Sequence, residues 1–320
     1  MAMLAVVSTA PSRALGQRVE SAAIEDDNGQ FDFWLPAWKR PDTELANSMQ
    51  ARVSLEAVPV WGAWFHVGAC GSSMPTARCG TTALSLGQEM YTPSAAITSA
   101  QPQPGQRPYA GWLYAATTAR VASSRSSDAV TLELGVTGRP SLAEQVQTAW
   151  HALIGYPRAL GWAHQIPFQP GVLLTAEHDA EVARVTIGDV PVLSVVPRAS
   201  VTAGNVATGA SGGLQMRAGF GVTPFWSHAT PGRARPLEIY ALGDIQEDLV
   251  VHRLVLDAPA SSSAVRIAKL PLVNQYAFGA GARFGAMEVE YRGIMRAREY
   301  VTGPPHEPYG VLTLGVRPGW

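Results

Sequence analysis

No stretch of this chain stays apolar for the ~18 residues a membrane-spanning helix needs, which excludes a helical membrane protein. Charge is scarce as well, at 15% of 320 residues, against roughly 25% in an average soluble domain. Neither sign dominates. With 24 Lys and Arg against 25 Asp and Glu, there is no basic surface to argue for nucleic acid. HExxH, P-loop and dinucleotide fingerprints are missing, and the seven histidines show no metal-ligand spacing on a helix, which argues against a zinc hydrolase. Cysteine is nearly absent too, with only Cys70 and Cys79.

What the chain does have is glycine and proline, 31 and 24 residues. Low charge, many turn formers and no helical span suit a membrane β-barrel or a β-rich exported protein. The start, "MAMLAVVSTAPSRALGQ", is apolar and rich in small residues, and Ala14-Leu15-Gly16 resembles a signal-peptidase site, so residues 1–16 are expected to be a leader or its remnant. A basic n-region is missing, and a frayed apolar terminus is the plainer alternative. Residues 17–320 then form one domain. In "CGSSMPTARC" the ends of a short loop lie within disulfide reach, and an exported context favours that bond over a metal site.

From about residue 48 onward, short period-two segments alternate with Gly, Pro and Ser turns. In "LQMRAGFGV", Leu214, Met216, Ala218, Phe220 and Val222 share a face opposite Gln215 and Arg217. In "MEVEYRGIMRAR", Met287, Val289, Tyr291 and Met295 alternate with Glu288, Glu290, Arg292 and Arg296. A soluble sandwich also alternates, but rows of charge opposite rows of apolar residues better fit lipid outside and a polar lumen inside. Further strands are predicted over 49–57, 82–90, 109–121, 129–137, 171–178, 190–203, 237–246, 249–257, 270–281 and 309–317. The chain ends on Trp320 after such a strand, which resembles the assembly signal of outer-membrane barrels.

One helix interrupts the pattern. Ser141-Leu142-Ala143-Glu144 has the form of a capping box, Pro140 precedes it, and Gly155 and Pro157 end it. Val146, Ala149, Trp150 and Leu153 make an apolar stripe; Gln147 and His151, four apart, share the polar edge beside a surface. "GASGG" at 209–213 matches the nucleophile elbow, but it precedes a strand, and a barrel turn is the better reading.

Together "LGQEMYTP" (86–93), "RPYAGWLY" (107–114), "LGVTGRPSLAEQVQTAWH" (134–151), "GWAHQI" (161–166), "AGNVAT" (203–208) and "LVLDA" (254–258) resemble the LpxR family of outer-membrane lipid A 3'-O-deacylases. The resemblance implies an all-β fold, a transmembrane antiparallel β-barrel of about 12 strands with a short helix from an outer loop. It implies a calcium-dependent esterase acting on lipid A or lipopolysaccharide in the outer leaflet, its site between the barrel wall and that helix. His151 matches the family's base, with Gln147 beside it and Asn28 as a further catalytic residue. The first strand, "EDDNGQFDFW" (25–34), can be aligned in two registers, with Asp27 and Asp26 as the calcium carboxylates. Arg107 and Asn47 fall where substrate contacts are expected, although Arg107 could equally be a buried charge that organises its loop. Gly29, Ala46 and Ser48 depart from the family pattern, Gln106 replaces an acid, and loop 94–106 carries no lysine. These departures leave a second reading open, a catalytically weakened barrel with a lipid-binding or structural role.

Overall fold

The computed structural model describes residues 13–14, 17–36, 44–58, 67–70, 78–93, 98–226, 237–257 and 267–317. The period-two segments become twelve barrel strands. They are β1 (Gln17–Asn28), β2 (Glu44–Leu55), β3 (Cys79–Thr92), β4 (Ala110–Ala122), β5 (Ser126–Thr137) and β6 (Pro170–Ala180). Next come β7 (Val190–Gly204), β8 (Ala207–Phe220), β9 (Leu237–Arg253), β10 (Leu272–Phe284), β11 (Met287–Ala297) and β12 (His306–Val316). Each pairs antiparallel with its neighbour, and β12 pairs with β1, from Gly310↔Asn28 to Val316↔Ala22. Closure leaves no edge unpaired among these twelve strands, so the backbone groups along the wall can be satisfied in hydrocarbon.

The side chains sort as the alternation predicts. Leu84, Leu86, Leu132, Leu134, Met216 and Met287 point outward and are exposed, which suits lipid. The scarce charge is gathered inside: Arg217 pairs with Glu290 at 2.9 Å, Arg292 with Glu25 at 2.8 Å and Arg198 with Asp244 at 3.2 Å. Both ends of the barrel chain lie at one end, with the tight turns 123–125 and 285–286; by the rule for such barrels this is the periplasmic end. The Cys70–Cys79 disulfide forms there, with Cα atoms 4.7 Å apart.

Both mouths are filled. At the outer end, α2 (Leu254–Asp257) folds in, burying Leu254, Val255 and Leu256 against Leu45, Tyr91, Tyr300 and Tyr309. At the periplasmic end Trp226 donates its indole N–H to the Ser123 carbonyl at 3.0 Å, and Arg120 and Arg198 lie over the Phe225 ring. Between them the lumen keeps a cavity of about 320 Å³.

Several boundaries differ from those expected. The predicted strands 237–246 and 249–257 are one strand as far as Arg253, with Asp248 facing the lumen toward Arg296, and residues 254–257 are the helix α2. "GASGG" is no turn: Gly209–Gly213 lie inside β8, and the Ser211 hydroxyl shares a hydrogen bond with Ser200 at 2.7 Å. Val222 lies beyond that strand, after Gly221 turns the chain at φ 68°. The first strand ends at Asn28 and does not run on through Trp34. Of the expected leader, only Arg13 and Ala14 are described, as a short strand beside Gln17 and Arg18. Trp320 and residues 94–97 lie outside the described residues.

Candidate active site

The β register lines up one row of residues across the outer end of the wall. Gly293 on β11 pairs with Gly310 on β12, and Gly310 with Asn28 on β1. Asn28 then pairs with Asn47 on β2, Asn47 with Met90 on β3, and Met90 with Gly111 on β4. Glycine is required at both flanks. A Cβ on Gly293 would strike Trp34 and one on Gly310 would strike Phe31, while one on Gly111 would strike Ser141 and Ala143. Two outer loops thus lie against the outside of the barrel, one over β11 and β12, the other over β3 and β4. Between them the wall carries a polar strip.

On that strip Asn47 donates its amide to Asp26 Oδ1 at 2.6 Å and to the Asp27 carbonyl at 3.3 Å. Asn28 is buried, and its Oδ1 accepts the Gln30 N–H at 2.8 Å, capping the short 3-10 turn Gly29–Phe31. That cap is what ends β1 and turns Phe31–Trp34 onto the wall, where the Tyr291 hydroxyl donates to the Phe31 carbonyl at 2.7 Å.

The helix α1 (Ala143–Ile154) stands over β3 and β4. Its start is not a capping box. Leu142 holds the N-cap position at φ 59°, the Ser141 hydroxyl donates to the Gly138 carbonyl at 2.6 Å, and Glu144 pairs with Arg158 at 3.6 Å. Gly155 closes the helix at φ 70°, as its sequence position predicts. The faces are the reverse of those expected in water: Gln147 and His151 are buried, and Val146, Trp150 and Leu153 are exposed.

His151, only 2% exposed, has its Nδ1 2.7 Å from the Pro157 carbonyl, with Tyr156 edge-on at 5.0 Å. A carbonyl can only accept, so the Nδ1 carries the proton and the neutral ring keeps its lone pair on Nε2. One turn earlier, the Gln147 Oε1 accepts the Trp162 indole N–H at 2.7 Å. That contact fixes the amide's orientation and leaves Gln147 Nε2 buried with no hydrogen-bond partner in the protein. Trp162 stacks edge-on with Tyr109 at 5.1 Å, and both pack with Met90, Ala143 and Ala159. Burial pushes the Tyr109 phenol up to about 12, so it stays protonated at neutral pH. The Gln88 amide donates to the Ser141 carbonyl at 2.6 Å and ties the helix start to β3.

Met90, beside Asn47 in that row, packs with Ala143 and Trp162, and Trp162 bonds Gln147, so the helix that carries Gln147 and His151 is anchored next to the strip of Asn47, Asn28 and Asp26. The structure does not bring in Asp27, which alternates to the lumen face and lies among Glu25, Glu89 and Arg292. Arg107, expected at the substrate, is instead sealed in the barrel mouth. Its Nε lies 2.7 Å from Glu44, its Nη2 bonds Glu299, and it sits 5.0 Å above the Tyr91 ring. Burial alone would lower its pKa, but Glu44 and Glu299 outweigh that and hold it above the ordinary arginine value. It organises the loops and has no exposed surface to offer a phosphate. Tyr109, Trp162 and Met90 were not singled out by sequence; "RPYAGWLY", "GWAHQI" and "LGQEMYTP" contain them, but nothing local marks their packing together against Ala143 of α1.

A calcium ion needs about six to eight oxygen ligands. Among the strand residues of the outer face the strip supplies one carboxylate, Asp26, with one oxygen already bonded to Asn47, and the Asn28 oxygen is committed to its cap. Among the described residues no three His, Cys, Asp or Glu side chains converge on a common point. These donors do not fit calcium as they stand.

A family model described as "Outer membrane protein LpxR" matches residues 32–317. Among solved structures, LpxR from Salmonella typhimurium resembles the chain with a TM-score of 0.75 at 15% identity, covering 93% of this chain and 99% of that one. The β domain of the Bordetella autotransporter BrkA gives 0.46 at 10% identity, covering 94% and 99%. The translocator domain of the autotransporter NalP from Neisseria meningitidis gives 0.42 at 11% identity, covering 95% and 89%. No curated protein sequence matches.

Proposed function

The chain belongs to the LpxR family of outer membrane proteins, and from that premise we propose that it hydrolyses an ester-linked acyl chain of lipid A, at the 3' position by family resemblance. One arrangement carries this reading. On a single buried face of α1, an imidazole with its proton pinned on Nδ1 lies one turn from an amide donor that has no partner. An unpaired buried donor costs about 1–3 kcal/mol, so its retention beside a base argues for a ligand oxygen that fills it during turnover.

In the proposed reaction, His151 Nε2 takes a proton from water as the oxygen bonds to the ester carbonyl carbon. Negative charge moves to the carbonyl oxygen, which accepts a hydrogen bond from Gln147 Nε2. The tetrahedral intermediate then expels the sugar alkoxide, which takes the proton from His151 and leaves a free fatty acid. Asn47, Asn28 and Asp26 hold polar groups of the glucosamine end against the wall. Histidine suits the role because its ordinary pKa, about 6.5, lies close to the working pH.

The second reading, a barrel with weakened catalysis that binds lipid or serves structure, has one observation in its favour: among the described residues no three metal-ligating side chains come together at the strip. Mass spectrometry of lipid A from cells expressing the chain or its His151→Ala variant decides between them. The esterase reading expects loss of one acyloxyacyl mass with the native chain and none with the variant. Unchanged lipid A beside a folded native barrel would establish the second reading.

A further inference from the structure

The apolar side of α1 faces away from the protein. Leu142, Val146, Trp150 and Ile154 follow at four-residue spacing with Leu153 beside them, and all are exposed, Leu153 by 68%. About a quarter-turn round the helix, Ala143, Gln147 and His151 are buried. Five large apolar residues in a continuous stripe on one short helix are not what a helix in water presents. The same loop also exposes Leu160 and Phe168. Two of its charges, Glu144 and Arg158, pair with each other along one edge, and the Arg158 side chain is 61% exposed.

Position along the barrel gives the level at which this stripe lies. On β5 the outward residues run from Asp128, bonded to His178 and Arg78, through Val130, Leu132 and Leu134. From Asp128 to Gly138 the strand climbs roughly 25 Å, taking about 3.4 Å per residue and a tilt near 40°, which is the height of the apolar band of such barrels. The helix begins just past that band. In the same row of the wall, on the far side of the polar strip, Phe33, Trp34, Tyr291 and Phe278 form an aromatic group with ring centroids 5.1–6.4 Å apart. Phe33 and Phe278 are more than half exposed, or half exposed, as residues of an interfacial girdle are.

We infer that α1 lies in the outer leaflet at the boundary of headgroups and hydrocarbon, with Leu142, Val146, Trp150, Leu153 and Ile154 seated among acyl chains. The stripe continues the lipid-facing belt that Leu84, Leu86 and Leu134 form directly below it. The partner is therefore hydrocarbon, in a helix that keeps its charged edge toward the headgroups. The cleft between α1 and the wall then opens sideways into the leaflet. This inference rests on the outer-membrane family, not on the catalytic reading; an inactive barrel would seat its helix in the same way.

The test is electron paramagnetic resonance on the full chain in phospholipid vesicles. The two native cysteines are joined to each other, so an introduced cysteine is the sole free thiol. Nitroxide labels at Leu153→Cys, Ile154→Cys and Arg158→Cys are compared for collision with oxygen and with a water-soluble nickel chelate. Labels at 153 and 154 should collide with oxygen severalfold more than with nickel, and the ratio should invert at 158. Equal nickel access at all three sites would place the stripe in water and overturn the inference. Labels at 153 and 154 that are immobilised and reached by neither reagent would overturn it as well, and point to a second copy of the chain as the occupant.

Discussion

Replacing Gln147 with glutamate separates two things that side chain does. The carboxylate still accepts the Trp162 indole N–H now held at 2.7 Å, so the loop keeps its anchor. What disappears is the amide donor that has no partner in the protein. If that donor meets the oxyanion, its loss should lower kcat by about 10²–10³. The new charge also stands one helical turn from His151. At about 6 Å and an effective dielectric near 20, it stabilises the imidazolium by about 2.8 kcal/mol, or about two pKa units, and by less where water enters. The sign is fixed: a nearby anion raises the histidine pKa, the reaction needs the unprotonated ring, and the acid limb of the rate profile moves to higher pH. The assay is release of fatty acid from purified lipid A in detergent, with kcat and KM measured across pH 5–9, and thermal unfolding followed in parallel. A Gln147→Glu protein with unchanged kcat and an unshifted acid limb would refute the placement of Gln147 at the reacting carbonyl. A fall in kcat at unchanged unfolding temperature supports it, because a purely structural role would lower stability first.

Gly111→Val should displace Ser141 and Ala143 and lift α1 from the wall, abolishing deacylation while the heat-modifiable gel mobility of the folded barrel persists. Arg107→Met leaves Glu44 and Glu299 buried without their shared cation, and should cost about 3–5 kcal/mol in denaturant unfolding. Burial pushes the Glu299 carboxyl up, but Arg253, Arg296 and Arg107 outweigh it and hold it well below its ordinary 4.5. Its contribution is thus full above pH 4.5 and is lost as pH falls toward the depressed folded value; Glu299→Gln should flatten the acid side of the stability profile. Breaking the Cys70–Cys79 link by serine substitution frees a loop of about ten residues, and should lower unfolding stability by about 3 kcal/mol, with no further loss on adding a thiol.

Much of the fold was legible because a barrel wall repeats one rule. Leu214, Met216, Gln215 and Arg217 sort to opposite faces by parity alone, and the structure keeps that sorting. The helix was equally visible, since Gly155 and the three- to four-residue spacing of its apolar positions have no strand counterpart. Its orientation was not visible. Amphipathicity says which residues share a face, while the surrounding solvent says which face is outside, and here that solvent is hydrocarbon. Ser141 and Glu144 fit the capping-box spacing, yet the left-handed Leu142 between them directs the serine to Gly138. The choice between Asp26 and Asp27 had the same origin: adjacent strand residues face opposite ways, and only the Asn28 cap fixes where the strand ends. Arg107 could not be assigned from its neighbours in sequence, because Glu44 and Glu299 come from other parts of the chain.

The glycines at 111, 293 and 310 give the barrel a front and a back. Two loops clasp the outside of the wall from β11 round to β4, and a helix adds about 10 Å to the radius on that arc. Along β6 to β9, among the described residues, strands alone meet the lipid annulus. In a crowded outer membrane a neighbouring protein can therefore press against the bare arc without consequence for the cleft, while one on the clasped arc would bar lipids from it. Lateral packing, more than anything in the lumen, would then set how often this barrel meets its substrate.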